Sequence, residues 1–163
     1  MPNFLRNLAR SVYYLRHMDD RDLQIIAALQ ENARATFGEI ATTCGLSPSS
    51  VHDRVRKLEQ ARVIKGYRAQ IDPESTGLFV TALVSITPLD PKQPDDLPER
   101  VLELTEVEDC HSVAGDENYI LKVRTRTTSD LEDFLRRLRE KAGVRTRTTI
   151  VLSTPFEHRP LIP

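Results

Sequence analysis

The chain has 163 residues, 39% of them hydrophobic and 29% charged, with a net charge of −1. That length holds one good core or two small ones, and the composition is that of an ordinary globular protein, not a disordered or fibrous one. No apolar run approaches the roughly 18 to 20 residues of a membrane-spanning helix, and the N-terminus lacks the apolar block of a secretory signal. Cys44 and Cys110 are too few for a disulfide framework and show no metal-ligand spacing with the scattered His17, His52, His111 and His158, so a reducing, intracellular setting fits.

The near-neutral total hides a polarity. Residues 1–72 hold 11 Lys/Arg against 8 Asp/Glu, a balance of +3, and residues 73–163 hold 12 against 16, a balance of −4. A basic first part and an acidic second part suggest one module for a polyanion and another for something else.

Residues 1–17 form a basic, partly amphipathic extension, with Phe4, Leu5, Leu8, Val12 and Leu15 at approximate helical spacing. It reads as a packing helix against a partner subunit or as an arm on DNA, and Met18 is an alternative start. From Asp19 or Asp20 an acidic cap precedes Leu23, Ile25, Ile26 and Leu29, which predicts a helix ending near Asn32. Two short amphipathic helices follow between Thr36 and Ile64 around a tight Gly45-Leu46-Ser47 turn. The first carries Phe37, Ile40 and Ala41 inward, and Gly45 supplies the left-handed residue that ends it. Ser47 caps the second, Pro48 takes its first position, and Val51, Val55 and Leu58 face the core. Together the three helices make one unit over residues 18–63.

The outward side of that last helix carries Ser49, Ser50, His52, Asp53, Arg54, Arg56 and Lys57. DNA is held mainly through its phosphates, by cations and hydroxyl donors, and is read by side chains near the start of a helix laid in the major groove. Ser47, Ser49, Ser50, His52 and Asp53 are therefore candidate readers, and Arg54, Arg56 and Lys57 candidate backbone grips. The plain alternative is a helical hairpin with a merely solvated charged face; the capped turn, the backing helix and the basic face occurring together favour DNA.

Residues 64–76 form a linker in which Val63 to Ile71 alternates like a strand before Asp72-Pro73 ends it, a wing or a hinge. Beyond Gly77 the pattern is β–α–β–β–α–β: strands over 78–87, 107–113, 119–126 and 144–153, helices over 96–104 and 129–141. That order is the split βαβ, ferredoxin-like arrangement over residues 77–155, and residues 156–163 are a tail. Pro94-Asp95-Asp96 and Ser129-Asp130 are the expected helix caps, and Leu131, Phe134, Leu135 and Leu138 the apolar face of the second helix. Helices cover such an antiparallel sheet on one side only. Val80, Ala82, Val84 and Ile86, or their alternates Phe79, Thr81 and Leu83, therefore need cover from a second subunit's sheet. The fold class is α+β, a winged helix-turn-helix followed by this one-sided sheet domain. No catalytic constellation can be assembled, and the Glu132/Asp133 and Glu106/Glu108/Asp109 carboxylates read as solvated faces, so an enzyme is not expected.

Several segments together resemble the leucine-responsive/AsnC, or feast/famine, class of bacterial and archaeal transcription regulators. They are residues 19–26, the run from Gly45 to Glu59, Val63-Ile64-Lys65-Gly66-Tyr67, and Val113-Ala114-Gly115-Asp116. Ile86-Thr87-Pro88-Leu89-Asp90-Pro91 and Ser112-Val113-Ala114-Gly115 are most similar to the actinobacterial regulators of alanine dehydrogenase. The resemblance implies a cytoplasmic, nucleoid-associated protein that binds double-stranded DNA, pairs through its linker strand and C-terminal sheets, and assembles from dimers into an octamer. It implies no metal or cofactor, but a small amino-acid effector bound between dimers at Gly115, Asp116, Asn118 and Tyr119 and at Thr146 and Thr148. A carboxylate such as Asp116 suits an α-ammonium and a threonine hydroxyl an α-carboxylate. Asn118 stands where the class usually carries Asp, which removes one charge from the loop. Read by itself, Gly-Asp-Glu-Asn is also a plain hairpin turn. The alternatives to effector control are an architectural DNA-binding protein and a sensor whose helical unit contacts another protein.

Overall fold

The computed structural model describes residues 18–90, 92 and 96–162. The N-terminal extension and the proposed Pro94-Asp95 cap lie outside the described residues. The chain divides into two compact units. One runs to Ala69 and takes in the tail from Phe156; the other spans Gln70–Pro155.

The first unit packs three helices, α1 (Asp20–Glu31), α2 (Phe37–Cys44) and α3 (Pro48–Gln60). Asp19 and Asp22 form a reciprocal capping box on α1, and Thr36 and Glu39 form the same device on α2, each satisfying amides that a helix start leaves without partners. Gly45 ends α2 in the left-handed region at φ 63°, ψ 42°, and the Ser47 hydroxyl accepts from the Ser50 amide to start α3, with Pro48 at its first turn. Ile25, Ile40, Ala41, Cys44, Val51, Val55 and Leu58 form the core, with Val63 and Ile64 against it. Phe37, expected inward, is instead 38% exposed. It shares the face of Ile40 and Ala41 by spacing, but at the first position of α2 it meets His52 and not the buried cluster.

Beyond Leu58 the backbone turns sharply, with Arg62 left-handed at φ 59° and the Val63 amide donating to the Leu58 carbonyl at 2.9 Å. The expected strand over 63–71 is absent. Those residues carry no regular structure, and Tyr67 and Ile71 are exposed. Alternation alone does not make a strand, because each ladder group needs a neighbouring edge to bond.

The second unit opens with a 3₁₀ turn, Glu74–Thr76, and continues as β1 (Val80–Pro88), α4 (Leu97–Leu102), β2 (Val107–Ser112), β3 (Tyr119–Thr125), α5 (Thr128–Ala142) and β4 (Val144–Ile150). The four strands make one sheet in the order β2-β3-β1-β4, every pair antiparallel, as the ferredoxin-like reading requires. One correction concerns α5. Its cap is Thr127, whose hydroxyl accepts from the Asp130 amide, not Ser129-Asp130. Thr127 is the last extended residue before the helix, and only such a residue reaches the third helical amide. Asp96, at the start of α4, makes no side-chain cap and pairs instead with Arg100 at 3.0 Å.

Strand periodicity sorts the sheet's two faces. Ala82, Val84, Ile86, Leu121 and Val123 are buried beneath Leu97, Val101, Phe134 and Leu138 of the two helices. Their alternates Thr81, Leu83, Ser85, Ile120 and Lys122 form the uncovered face, where Leu83 is 41% exposed, and Phe79 just outside β1 is 67% exposed. The uncovered apolar set is therefore the one containing Leu83 and Phe79.

Candidate DNA interface and ligand site

On α3 the sequence-proposed side chains separate into three groups. Arg56 and Lys57 are exposed, and among the described residues neither has an ion-pair partner, so both are available to phosphates. Near the N-terminus, Ser47 and Ser49 lie hydroxyl to hydroxyl at 3.0 Å, and Ser50 is half-buried. His52 stands edge-on to the Phe37 ring with centroids 5.4 Å apart, its Nδ1 3.4 Å from the Asp53 carboxylate. The exposed Phe37 thus braces the imidazole from the side, a role its place in the sequence did not suggest.

Arg54 is the correction. It was expected outward as a backbone grip, but its guanidinium is drawn against α1, donating to Asp22 at 2.7 Å and to Asp19 at 2.9 Å. The Asp22 side chain is only 14% exposed. These bonds, the one to Asp22 first, raise the arginine pKa. The Asp19 carboxyl is held below its usual range, first by the Asp22 amide and also by Arg54. Physically, two carboxylates fixed by a capping box outcompete water for a cation within their reach.

In the second unit, the loop of residues 113–118 joins β2 to β3 and is closed by the Val113 amide on the Asn118 carbonyl and the Asn118 amide on the Ile86 carbonyl, both at 3.1 Å. Gly115 and Asp116 are exposed at its tip. Gly115 has no left-handed backbone, and a Cβ there would meet only the Glu117 carboxylate at 4.0 Å. The fold itself does not demand glycine at that position.

Within one chain the proposed effector residues do not converge. Tyr119 is 8% exposed and belongs to the core. Thr146 and Thr148 pair with Ile86 and Val84, so the pleat aims them at the helix-covered face, where the Thr146 hydroxyl lies 3.4 Å from an Arg139 nitrogen. The loop and β4 are instead joined by an ion pair between Glu117 and Arg147, on the opposite side of the pleat. Arg147 lies inside the stretch 146–149 that the resemblance assigns to the effector, and the alternation of Arg145, Arg147 and Thr149 with Thr146 and Thr148 marks it as the other face. Two clefts lie at the far end of β3. One of about 410 Å³ is walled by Arg124, Arg126, Arg136 and Arg137 with Glu106 and Asp130; the other, about 490 Å³, by Ile71, Pro73, Leu78 and Glu106. Neither is lined by the loop or by the threonines.

A capped helix-turn-helix with exposed cations, joined to a separate one-sided α+β domain, defines a DNA-binding transcription regulator that carries a second, ligand-binding module. Residues 18–65 match the model of a winged helix-turn-helix DNA-binding domain, and residues 80–161 match the Lrp/AsnC ligand-binding domain. The HTH-type transcriptional regulator LrpA of Mycobacterium tuberculosis is 50% identical over 146 residues, covering 90% of this chain and 97% of that one. Its crystal structure superposes with a TM-score of 0.81 at 49% identity, over 90% of this chain and all of that one. A feast or famine regulatory protein from M. tuberculosis complexed with L-methionine gives 0.87 at 50% identity, covering 89% and 99% of the two chains. A transcriptional regulator of Neisseria meningitidis, also in complex with L-methionine, gives 0.80 at 27% identity over 88% and 96%. The chain belongs to the Lrp/AsnC family of transcription regulators. The named relatives are regulators of transcription and not enzymes.

Proposed function

We propose that this protein is an oligomeric, sequence-specific regulator whose α3 enters the major groove and whose C-terminal domains bind a small amino acid between subunits. The observation that carries the DNA half is the exposed Arg56 and Lys57, without an ion-pair partner among the described residues, on the same capped reader helix as a polar N-terminal turn. Ser47, Ser49, Ser50, His52 and Asp53 supply the groups that meet base edges or nearby phosphates.

The effector half is supported by the open sheet face and the split arrangement around the loop. Gly115, Asp116 and Asn118 face solvent, while Thr146 and Thr148 point the other way in the same chain, so a shared pocket takes its walls from more than one copy. Leu83, Ile120 and Phe79 give a second copy an apolar surface to cover. An octamer assembled from dimers meets both needs. The amino acids bound by the M. tuberculosis and N. meningitidis relatives support an amino-acid ligand here. An effector acts by favouring one arrangement of the readers over another. The setting is the cytoplasm, where the DNA is; among the described residues no helix is long and apolar enough to cross a membrane. A two-fold dimer favours an imperfect palindrome with half-sites on one face of the duplex.

Thermal unfolding against each common amino acid tests the effector reading, because a ligand that binds only the folded assembly raises its melting temperature by mass action. A selective rise that disappears in Gly115→Thr, with DNA binding retained, is the expected result. The room around Gly115 lets that variant fold. A rise unchanged in Gly115→Thr removes the loop from the site, and no rise with any amino acid favours an architectural, effector-independent regulator.

A further inference from the structure

Arg54 sits on the reader helix, yet it faces the backing helix. Its guanidinium spans the first turn of α1, 2.7 Å from Asp22 and 2.9 Å from Asp19. Those carboxylates are not free surface groups. Asp19 accepts from the Asp22 amide at 2.9 Å, and the Asp22 side chain accepts from the Asp19 amide at 3.3 Å, so each is fixed to the start of α1 before Arg54 arrives. With side chains 29% and 14% exposed, Arg54 and Asp22 are partly shielded from solvent screening.

Elsewhere α1 and α3 meet through apolar side chains, Ile25 against Val51, Val55 and Leu58. Apolar contact is non-directional and permits small rotations and slides. A planar guanidinium held by two fixed carboxylates is directional, and it sets the rotation of α3 about its own axis. That rotation decides whether Ser49, His52 and Asp53 reach base edges, since a displacement of about an ångström at a recognition group is enough to lose its hydrogen bonds.

We infer that Arg54 is a positioning residue for DNA recognition: clamped to Asp19 and Asp22, it fixes the rotation of α3 on α1 and thereby the register of the base-reading side chains, without contacting phosphate itself. This rests on the DNA-binding reading above.

The two roles leave different traces in salt titrations. A phosphate contact contributes equally on every sequence and lowers the slope of log K against log salt by about 0.9 when removed. A positioning residue leaves the slope intact and removes discrimination. The test uses the full-length protein and the duplex recovered by wild-type selection from a randomised pool, with a scrambled duplex as the random probe. Arg54→Ala and Asp22→Asn should each reduce the ratio of selected to scrambled affinity by about tenfold, with the salt slope on scrambled DNA unchanged. The double variant should lose no more than either single one, because both break the same contact. Arg54→Lys, which keeps the charge but loses the fork, should recover only part of the ratio.

A fall of about one in the salt slope for Arg54→Ala, with Asp22→Asn at wild-type discrimination, would assign Arg54 to phosphate and overturn the inference. So would full recovery of the ratio by Arg54→Lys, since any cation would then serve. If both Arg54→Ala and Asp22→Asn melt below the assay temperature, the contact is a requirement of folding and the inference also falls. Failure of the wild type to select any sequence would be a failure of the sequence-specific reading itself, visible before a variant is made.

Discussion

The turn that carries the reader helix hinges on Gly45, and its backbone angles permit a worked prediction. At φ 63°, ψ 42° an L-residue pays the left-handed penalty of about 1–2 kcal/mol. A new Cβ meets nothing closer than an Arg21 guanidinium nitrogen at 3.8 Å, an ordinary contact, so no steric term is added. Replacing glycine also stiffens the unfolded chain, which returns about 0.4–1 kcal/mol. Gly45→Ala should therefore destabilise the helical unit by about 1 kcal/mol. Gly45→Val should cost about 2 kcal/mol or more because β-branching suits this region worst, and Gly45→Asn should cost about half as much as alanine, since asparagine visits it readily. Urea unfolding of full-length variants, followed by helical signal at constant slope, measures the series. Affinity for DNA of the still-folded fraction should not change, because the turn contributes geometry and no contact. A neutral Gly45→Ala, or asparagine as damaging as valine, would show that the turn is not held left-handed.

Arg56→Ala and Lys57→Ala should weaken binding to selected and scrambled DNA alike and each lower the salt slope by about 0.9, whereas Ser49→Ala and His52→Ala should change sequence preference at constant slope; equal losses on both probes for both pairs would dissolve that division. Bonds from the Thr36 amide and hydroxyl at 2.7 and 2.8 Å hold the Glu39 carboxyl below its ordinary 4.5. A depressed folded-state pKa gives stability that is present above the unfolded value and lost on acidification, so acid unfolding of the helical unit should begin as pH falls below about 4.5, and Glu39→Gln should flatten that limb. Tyr67 runs the opposite way. Partial desolvation of the hydroxyl of this largely exposed side chain, helped by its hydrogen bond to Glu59 at 3.0 Å, raises its phenol from 10.0 to about 12, so its contribution holds below pH 10 and fades between 10 and 12; absorbance titration should show a late tyrosinate step that Tyr67→Phe removes.

Local chemistry made much of this legible in advance. Gly45, Ser47 and Pro48 each tolerate few conformations, so together they dictate the turn, and period-two apolar patterning separated Ala82, Val84 and Ile86 from Phe79 and Leu83 without saying which set was covered. What escaped were decisions made between elements. Arg54 stands three residues after Val51 and four before Leu58, a spacing that puts it beside the buried stripe, and the Asp19 and Asp22 pair that receives it lies more than thirty residues earlier. Thr146 and Thr148 share the face of the buried Val144 two residues before Thr146, a placement that alternation gives only once it is known which face the helices cover. The alternation over 63–71 carries no strand within the single chain, because a ladder partner is a property of the assembly and not of the segment.

The tail connects these observations. Residues 80–161 match the ligand-binding domain model, yet from Phe156 onward the chain belongs to the helical unit. Two covalent links therefore join the units, one between Ala69 and Gln70 and one between Pro155 and Phe156, the second following β4 after residues 151–155. The Ile162 amide donates to Gln30 Oε1 at 3.2 Å, and Leu161 and Ile162 help to line a groove of about 610 Å³ with Ile26, Leu29, Val63, Ile64 and Tyr67. Truncation after Pro155 removes one hydrogen bond, worth about 1 kcal/mol net, and part of the cover of an apolar groove while Leu161 itself stays 91% exposed. The expected loss is about 1–2 kcal/mol, confined to the helical unit, and amide exchange resolves it: amides of α1 should exchange faster while those of β1 and β3 stay as protected as in the full chain. Unaltered exchange in α1 would mean the tail adds no stability there.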